Sequence, residues 1–199
     1  MRKIITLVIL CGLALCWNSN AASAQSQAAE EAPRPEVFTG TVIGIGGRMG
    51  GVSRTFTLTI NGYTSDEEAK RLLDELKEFK QDGLLKAVKK LKMGRVSVNG
   101  QTGKDVNVIR ASETEDGKRR IVLLFERWIN MYELREGTRS RDYPFSIAEL
   151  YLDKDGKGTG SFIAAARIKF FVDKKTGKPT VELENFGMYP AHVVITKRN

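Results

Sequence analysis

Cysteine and histidine are nearly absent from this chain of 199 residues: two cysteines and one histidine. Both cysteines, Cys11 and Cys16, lie in the first stretch of the chain, which reads as a removable leader. Without them, no disulfide, structural zinc site, thiol nucleophile or iron–sulfur cluster has its ligands. A single histidine excludes multi-histidine metal centres, so neither a metal nor a cofactor is expected, and a catalytic base would be a carboxylate, lysine, tyrosine or His192. Proline is also sparse, at five. Only one long apolar run exists, from Ile4 to Trp17, and it is shorter than the roughly 20 residues of a spanning helix. A polytopic helical membrane protein is therefore not expected.

The start of the chain reads as an address. Arg2 and Lys3, the apolar run and Ala22-Ser23-Ala24 are the charged, greasy and small-residue regions of a secretory signal peptide over 1–24. Leu13-Ala14-Leu15-Cys16 also looks like a lipobox, although Leu15 stands where a small residue belongs. Export to the periplasm or outside the cell is expected. The chain has 32 basic and 24 acidic residues. Losing Arg2 and Lys3 leaves 30 against 24, a net charge of +6 and no thiol. Residues 25–36, rich in Ala, Gln, Glu and Pro, read as a flexible lead-in, and 37–199 as a single β-rich domain.

Within that domain, short β-prone runs alternate with turn residues. Strands are expected at Val37–Ile45, Arg54–Asn61, Arg95–Asn99, Val106–Ser112, Arg119–Trp128, Phe145–Asp153, Gly160–Asp173, Thr180–Phe186 and Ala191–Lys197. Asn99-Gly100, Glu115-Asp116-Gly117, Asp153-Lys154-Asp155-Gly156 and Lys174-Lys175-Thr176-Gly177 supply the hairpin turns. The fold class is mainly β: a curled antiparallel sheet or barrel of about nine strands, with one helical insertion at residues 65–93. In the long run from Gly160 to Asp173, alternation assigns Phe162, Ala164, Ala166, Ile168, Phe170 and Val172 to one face. In the insertion, Ser65 with Glu68 forms a capping box, and Ala69, Leu72, Leu73, Leu76 and Phe79 make a helical stripe. The helix is expected to stop at Gln81-Asp82-Gly83, before a second, lysine-rich helix that ends at Met93-Gly94.

Several motifs fall short of the chemistry they suggest. Gly44 to Gly51 is glycine-rich and carries Arg48, but Met49 interrupts the dinucleotide fingerprint and a strand follows, so a hairpin loop is expected. Asp153 to Gly158 opens like a calcium loop, yet Lys157 and Ala164 occupy two ligand positions. His192 shares strand parity with Val194 and Thr196, and reads as an incidental sheet histidine.

The densest charge lies between Glu126 and Glu149. Arg127 follows the apolar alternation of Ile121, Leu123 and Phe125, which draws it inward, where it needs a carboxylate partner. It is the best anchor for an anionic ligand group, with Glu126, Glu133, Asp142 and Arg48 as the other candidate ligand-binding residues. Carboxylates of this region, Glu126, Glu133 and Asp142 among them, also offer an acid–base pair for a hydrolase. Lys86, Lys89, Lys90 and Lys92, opposed by leucines, offer a membrane-surface element facing anionic headgroups. Nucleic acid is not an expected partner, since no basic stripe is interleaved with stacking aromatics.

Thr64-Ser65-Asp66-Glu67-Glu68, Glu126-Arg127, Asp142-Tyr143-Pro144-Phe145, Asp155-Gly156-Lys157-Gly158-Thr159-Gly160 and Ala164-Ala165-Ala166 together resemble an uncharacterised family of bacterial exported proteins. The resemblance spans most of the domain and implies export, with no activity attached. The leading expectation is an exported binding module for a small amphipathic or anionic ligand. Its mouth would be rimmed by the Gly46–Gly51 loop and the helical insertion. A peripheral membrane-surface protein and a carboxylate-dependent hydrolase are the alternatives.

Overall fold

The computed structural model describes residues 34–45, 50–127, 142–173, 177, 179–186 and 190–198. Ten strands form one antiparallel sheet: β1 (Glu36–Ile43), β2 (Ser53–Ile60), β3 (Gly94–Val98), β4 (Lys104–Val106), β5 (Val108–Glu113), β6 (Arg119–Glu126), β7 (Phe145–Leu152), β8 (Gly158–Val172), β9 (Pro179–Asn185) and β10 (Ala191–Arg198). The order across the sheet is β4-β3-β2-β1-β10-β8-β7-β6-β5, with β9 paired to β8. The two edges, β4 and β5, are consecutive in the chain and separated only by Asn107. The sheet thus curls into a nearly closed barrel whose seam lies where one bent segment turns from β3 toward β6.

Asn107 is why the expected strand Val106–Ser112 divides in two. Its Nδ2 donates to the Leu91 carbonyl at 2.8 Å and its Oδ1 accepts from the Glu126 amide at 3.1 Å. Side-chain bonds replace ladder bonds at the seam, as buried backbone groups require. Beside it, the Thr64 amide donates to the Ile109 carbonyl at 2.8 Å, and Thr64 Oγ1 accepts from the Ile109 amide at 3.1 Å.

With β4 and β5 taken as one bent stave and β9 set aside, the barrel has about eight staves, a size whose interior side chains just fill. Phe38, Leu58, Ile60, Val106, Ile109, Ile121, Leu123, Phe125, Leu150, Leu152, Val193 and Ile195 do so. Phe125 and Phe162 stack within this core, ring centroids 6.3 Å apart. Gly40 lets β1 bend against β10: a Cβ there would collide with the Val194 carbonyl and the Phe56 ring. As parity predicts, Val193 and Ile195 are buried while His192 and Val194 are half-buried on the opposite side.

A second apolar layer lies outside the barrel. Helix α1 (Asp66–Val88) starts at Ser65, whose Oγ accepts from the Glu68 amide at 3.2 Å. Leu72, Leu76, Leu84, Ala87 and Val88 pack on Val108, Phe145, Ala166 and Ile168. The helix breaks at Lys80 (φ 57°, ψ −153°). The break falls one residue before the expected stop, and Gln81 to Gly83 open the second segment rather than end the first. Gly83 is required because a Cβ would strike the Phe79 side chain across the break. Gln81 holds the break in place: its Oε1 accepts from the Ile168 amide at 3.1 Å and its Nε2 donates to the Asp142 carbonyl at 3.0 Å. The second segment ends at Val88, not at Met93, because the Leu91 carbonyl accepts from Asn107 and the Met93 amide donates to the Val106 carbonyl.

The single-face reading of Gly160–Asp173 is corrected. Phe162 faces the barrel interior, whereas Ala166, Ile168 and Phe170, of the same parity, pack under α1 on the outside. The register of β7 against β8 shifts between Phe145 and Ile147, so a bulge flips the alternation, and Ser146 Oγ donates to the Ala164 carbonyl at 2.9 Å there. Val172 does not join either core and is 53% exposed. Beyond the bulge β8 pairs with β9 as an arm leaving the barrel. Glu36, assigned to the lead-in, is instead the first residue of β1.

Candidate functional site

The described barrel interior is filled by apolar side chains, and residues 46–49 of the Gly46–Gly51 loop, expected to rim a mouth, lie outside the described residues. A cleft of about 430 Å³ opens at the end of the barrel where β1 begins. Its floor is Phe38 and Leu152, both buried; its walls come from the β5–β6 turn (Ala111, Ser112, Glu113, Gly117), the β7–β8 turn (Asp153, Lys154, Gly156) and Arg119. The expected Asp153–Gly158 turn is a hairpin: Asp153 Oδ1 accepts from the amides of Asp155 at 3.0 Å and Lys157 at 2.9 Å, and Gly156 takes φ 75°.

An ion pair stands beside the cleft. Glu36 continues the inward parity of Phe38 and Arg119 that of Ile121, so each would meet the core alone were it not for the other. Arg119 donates to both Glu36 oxygens, at 2.7 and 2.9 Å, and Tyr63 Oη donates to Glu36 Oε1 at 2.5 Å. The Arg119 guanidinium also donates to Tyr63 Oη and sits 5.3 Å from its ring centroid. The Glu36 carboxylate holds the Arg119 guanidinium above the ordinary arginine range, and partial burial only partly offsets this. These residues escaped the sequence reading. The inward parity that singled out Arg127 would have found Arg119 as well.

Arg127 is buried, 8% exposed, just beyond β6, and its carbonyl accepts from Lys104 Nζ at 3.0 Å. Glu126 takes different partners, with Lys89 at 2.9 Å and Lys104 at 4.0 Å. Asp142 is exposed, and its backbone carbonyl is the group that Gln81 engages. Arg48 and Glu133 lie outside the described residues. None of Glu126, Arg127 and Asp142 lines the cleft. Glu126 stands opposite Phe145, and Glu149 four positions back along β6, opposite Val122. There Glu149 accepts from Arg120 Nε at 2.5 Å and from Tyr151 Oη at 2.9 Å. Burial, and then the hydrogen bond to Glu149, push the Tyr151 phenol up.

Lys86, Lys89, Lys90 and Lys92 are exposed, but the leucines opposed to them are not free for a membrane: Leu84 is buried and Leu85 and Leu91 are half-buried under the second helical segment. Among the described residues no helix is long and apolar enough to cross a membrane, and no three His, Cys, Asp or Glu side chains cluster as metal ligands. Comparison of the chain with protein-family models, curated proteins and solved structures gives no match.

Proposed function

We propose that this protein is an exported, non-enzymatic binding module that takes a small amphipathic ligand at the end of its barrel rather than inside it. The cleft carries the reading: an apolar floor of Phe38 and Leu152 below a rim of Glu113, Arg119, Asp153 and Lys154 suits a short alkyl or aromatic body with a polar or charged head. Binding is favoured over catalysis by what the charged groups already do. Arg119 is locked to Glu36 and Tyr63, and Asp153 caps its own turn. Export rests on the leader-like residues 1–24.

The test is an amide chemical-shift titration of the processed chain with octanoate, octylammonium and octyl glucoside, which share a tail and differ in the charge of the head. Saturable shifts confined to Ala111–Arg119 and Leu152–Gly156, and lost in Ala111→Trp, are the expected result. Saturable shifts elsewhere, or none with any of the three, overturn the assignment of the cleft.

A further inference from the structure

We propose that the closure seam of the barrel is a docking face for an anionic lipid bilayer. Five cations and no acid lie between Lys86 and Arg95. Folding sets this segment beside β4, since Val88 is fully buried and Asn107 ties down Leu91. Lys104, on β4, lies beside the segment.

Two carboxylates among the described residues are seen to answer them. Glu126 is shared between Lys89 and Lys104, and Asp105 between Lys92 at 3.2 Å and Arg95 at 3.7 Å. Asp105 therefore leaves one of its two cations uncompensated, and Lys86 and Lys90 make no ion pair among the described residues. Segment 86–95 carries an excess of about three positive charges over these two carboxylates. Burial, and then the neighbouring charges of Lys89 and Arg127, depress the Lys104 ammonium against the pull of Glu126.

The leucines of the segment face the protein, so the attraction is to headgroups and not to acyl chains. Exposed lysines on flexible stems match a fluid plane of phosphates better than one rigid anionic partner. No aromatic side chain of the described seam residues, 86–95, Lys104–Asn107 and Glu126–Arg127, offers a nucleobase a stacking platform. Since β6 runs from Arg119 at the cleft to Glu126 at the seam, docking here leaves the cleft open on the far side. The inference goes beyond the ligand reading and stands on different residues.

Flotation of the processed chain with vesicles of phosphatidylcholine alone, or mixed with phosphatidylglycerol, tests it. Recovery is expected with the mixed vesicles only, and is lost at high salt, where charges are screened. Lys86→Glu with Lys90→Glu, two exposed positions outside the ion pairs, lowers partitioning at least about tenfold, since each basic residue near an anionic surface contributes measurably. Lys118→Glu with Lys157→Glu makes the same change in net charge at the cleft end and leaves partitioning within about twofold of the parent on the same ground. Should the first pair fail to fold, judged by circular dichroism, Lys86→Gln with Lys90→Gln replaces it. Equal recovery with both vesicles, equal losses in both variant pairs, or retention of the mixed vesicles at high salt overturns the proposal. So does capture by a soluble polyanion such as heparin without any binding to vesicles. Octyl-chain titration of the first pair should be unchanged, which separates this result from the fate of the cleft.

Discussion

Asn107→Leu is the most direct challenge to the closure of the barrel, because it keeps the side chain close in size while removing both of its bonds. Asn107 is 5% exposed, and it holds the Leu91 carbonyl at 2.8 Å and the Glu126 amide at 3.1 Å. Each backbone group left without a partner in a part-buried site costs about 1–2 kcal/mol. The two together predict a loss of about 2–4 kcal/mol, offset by a few tenths from the added apolar burial. For a domain of this size that corresponds to a fall in Tm of roughly 5–15 °C. Urea denaturation followed by circular dichroism measures it, with an unchanged m-value as the sign that the two end states are the same. Hydrogen exchange supplies the location: the amides of Val106, Ile109 and Glu126 should lose protection ahead of those in β7 and β10. A loss under about 0.5 kcal/mol, the size of an ordinary surface substitution, would refute the view that this side chain substitutes for the missing ladder.

Three further outcomes are expected. Lys80→Gly relieves a backbone conformation nearly reserved for glycine, φ 57° and ψ −153°; the relief of about 1–3 kcal/mol exceeds the glycine entropy cost of about 0.5–1 kcal/mol, so Tm rises, whereas a fall would mean that the helix runs unbroken through Lys80. Gly40→Ala drives a Cβ into the Val194 carbonyl and the Phe56 ring and should cost about 2–3 kcal/mol by denaturation, a strand pair being less able to yield than a flexible side chain. The Glu184 carboxyl is held below its ordinary 4.5 by Lys169 and then by Tyr143. Its contribution is therefore complete above that value and disappears as pH falls through the lowered one. Amide exchange in the β8–β9 arm should accelerate across that acid range, and Glu184→Gln should remove the step.

Much of the fold was legible because alternation is a local property. Phe56, Leu58 and Ile60 announce an inward face, the hairpin residues announce their turns, and Ser65 with Glu68 announces a helix. Arg127 is buried for the reason its parity gives. What failed did so where one residue changes the frame. The β7–β8 bulge reverses which side of β8 is inside, and no periodicity within β8 records it, because the cause is the register of a partner strand. Asn107 splits a strand by bonding to groups 16 and 19 residues away.

The site divides along the same line. Composition alone left a single histidine and so no multi-histidine centre, and parity alone marked Arg127 at a strand end as needing a partner. Tertiary structure decided which partners: Glu36 for Arg119 across 83 residues, and two lysines, one on the helical insertion and one on β4, for Glu126. It also filled the barrel with apolar side chains and set a cleft between two turns that the sequence reading had taken only as hairpins. The physical reason is that side-chain direction follows from neighbours in the chain, while enclosed volume and charge pairing follow from where distant strands meet.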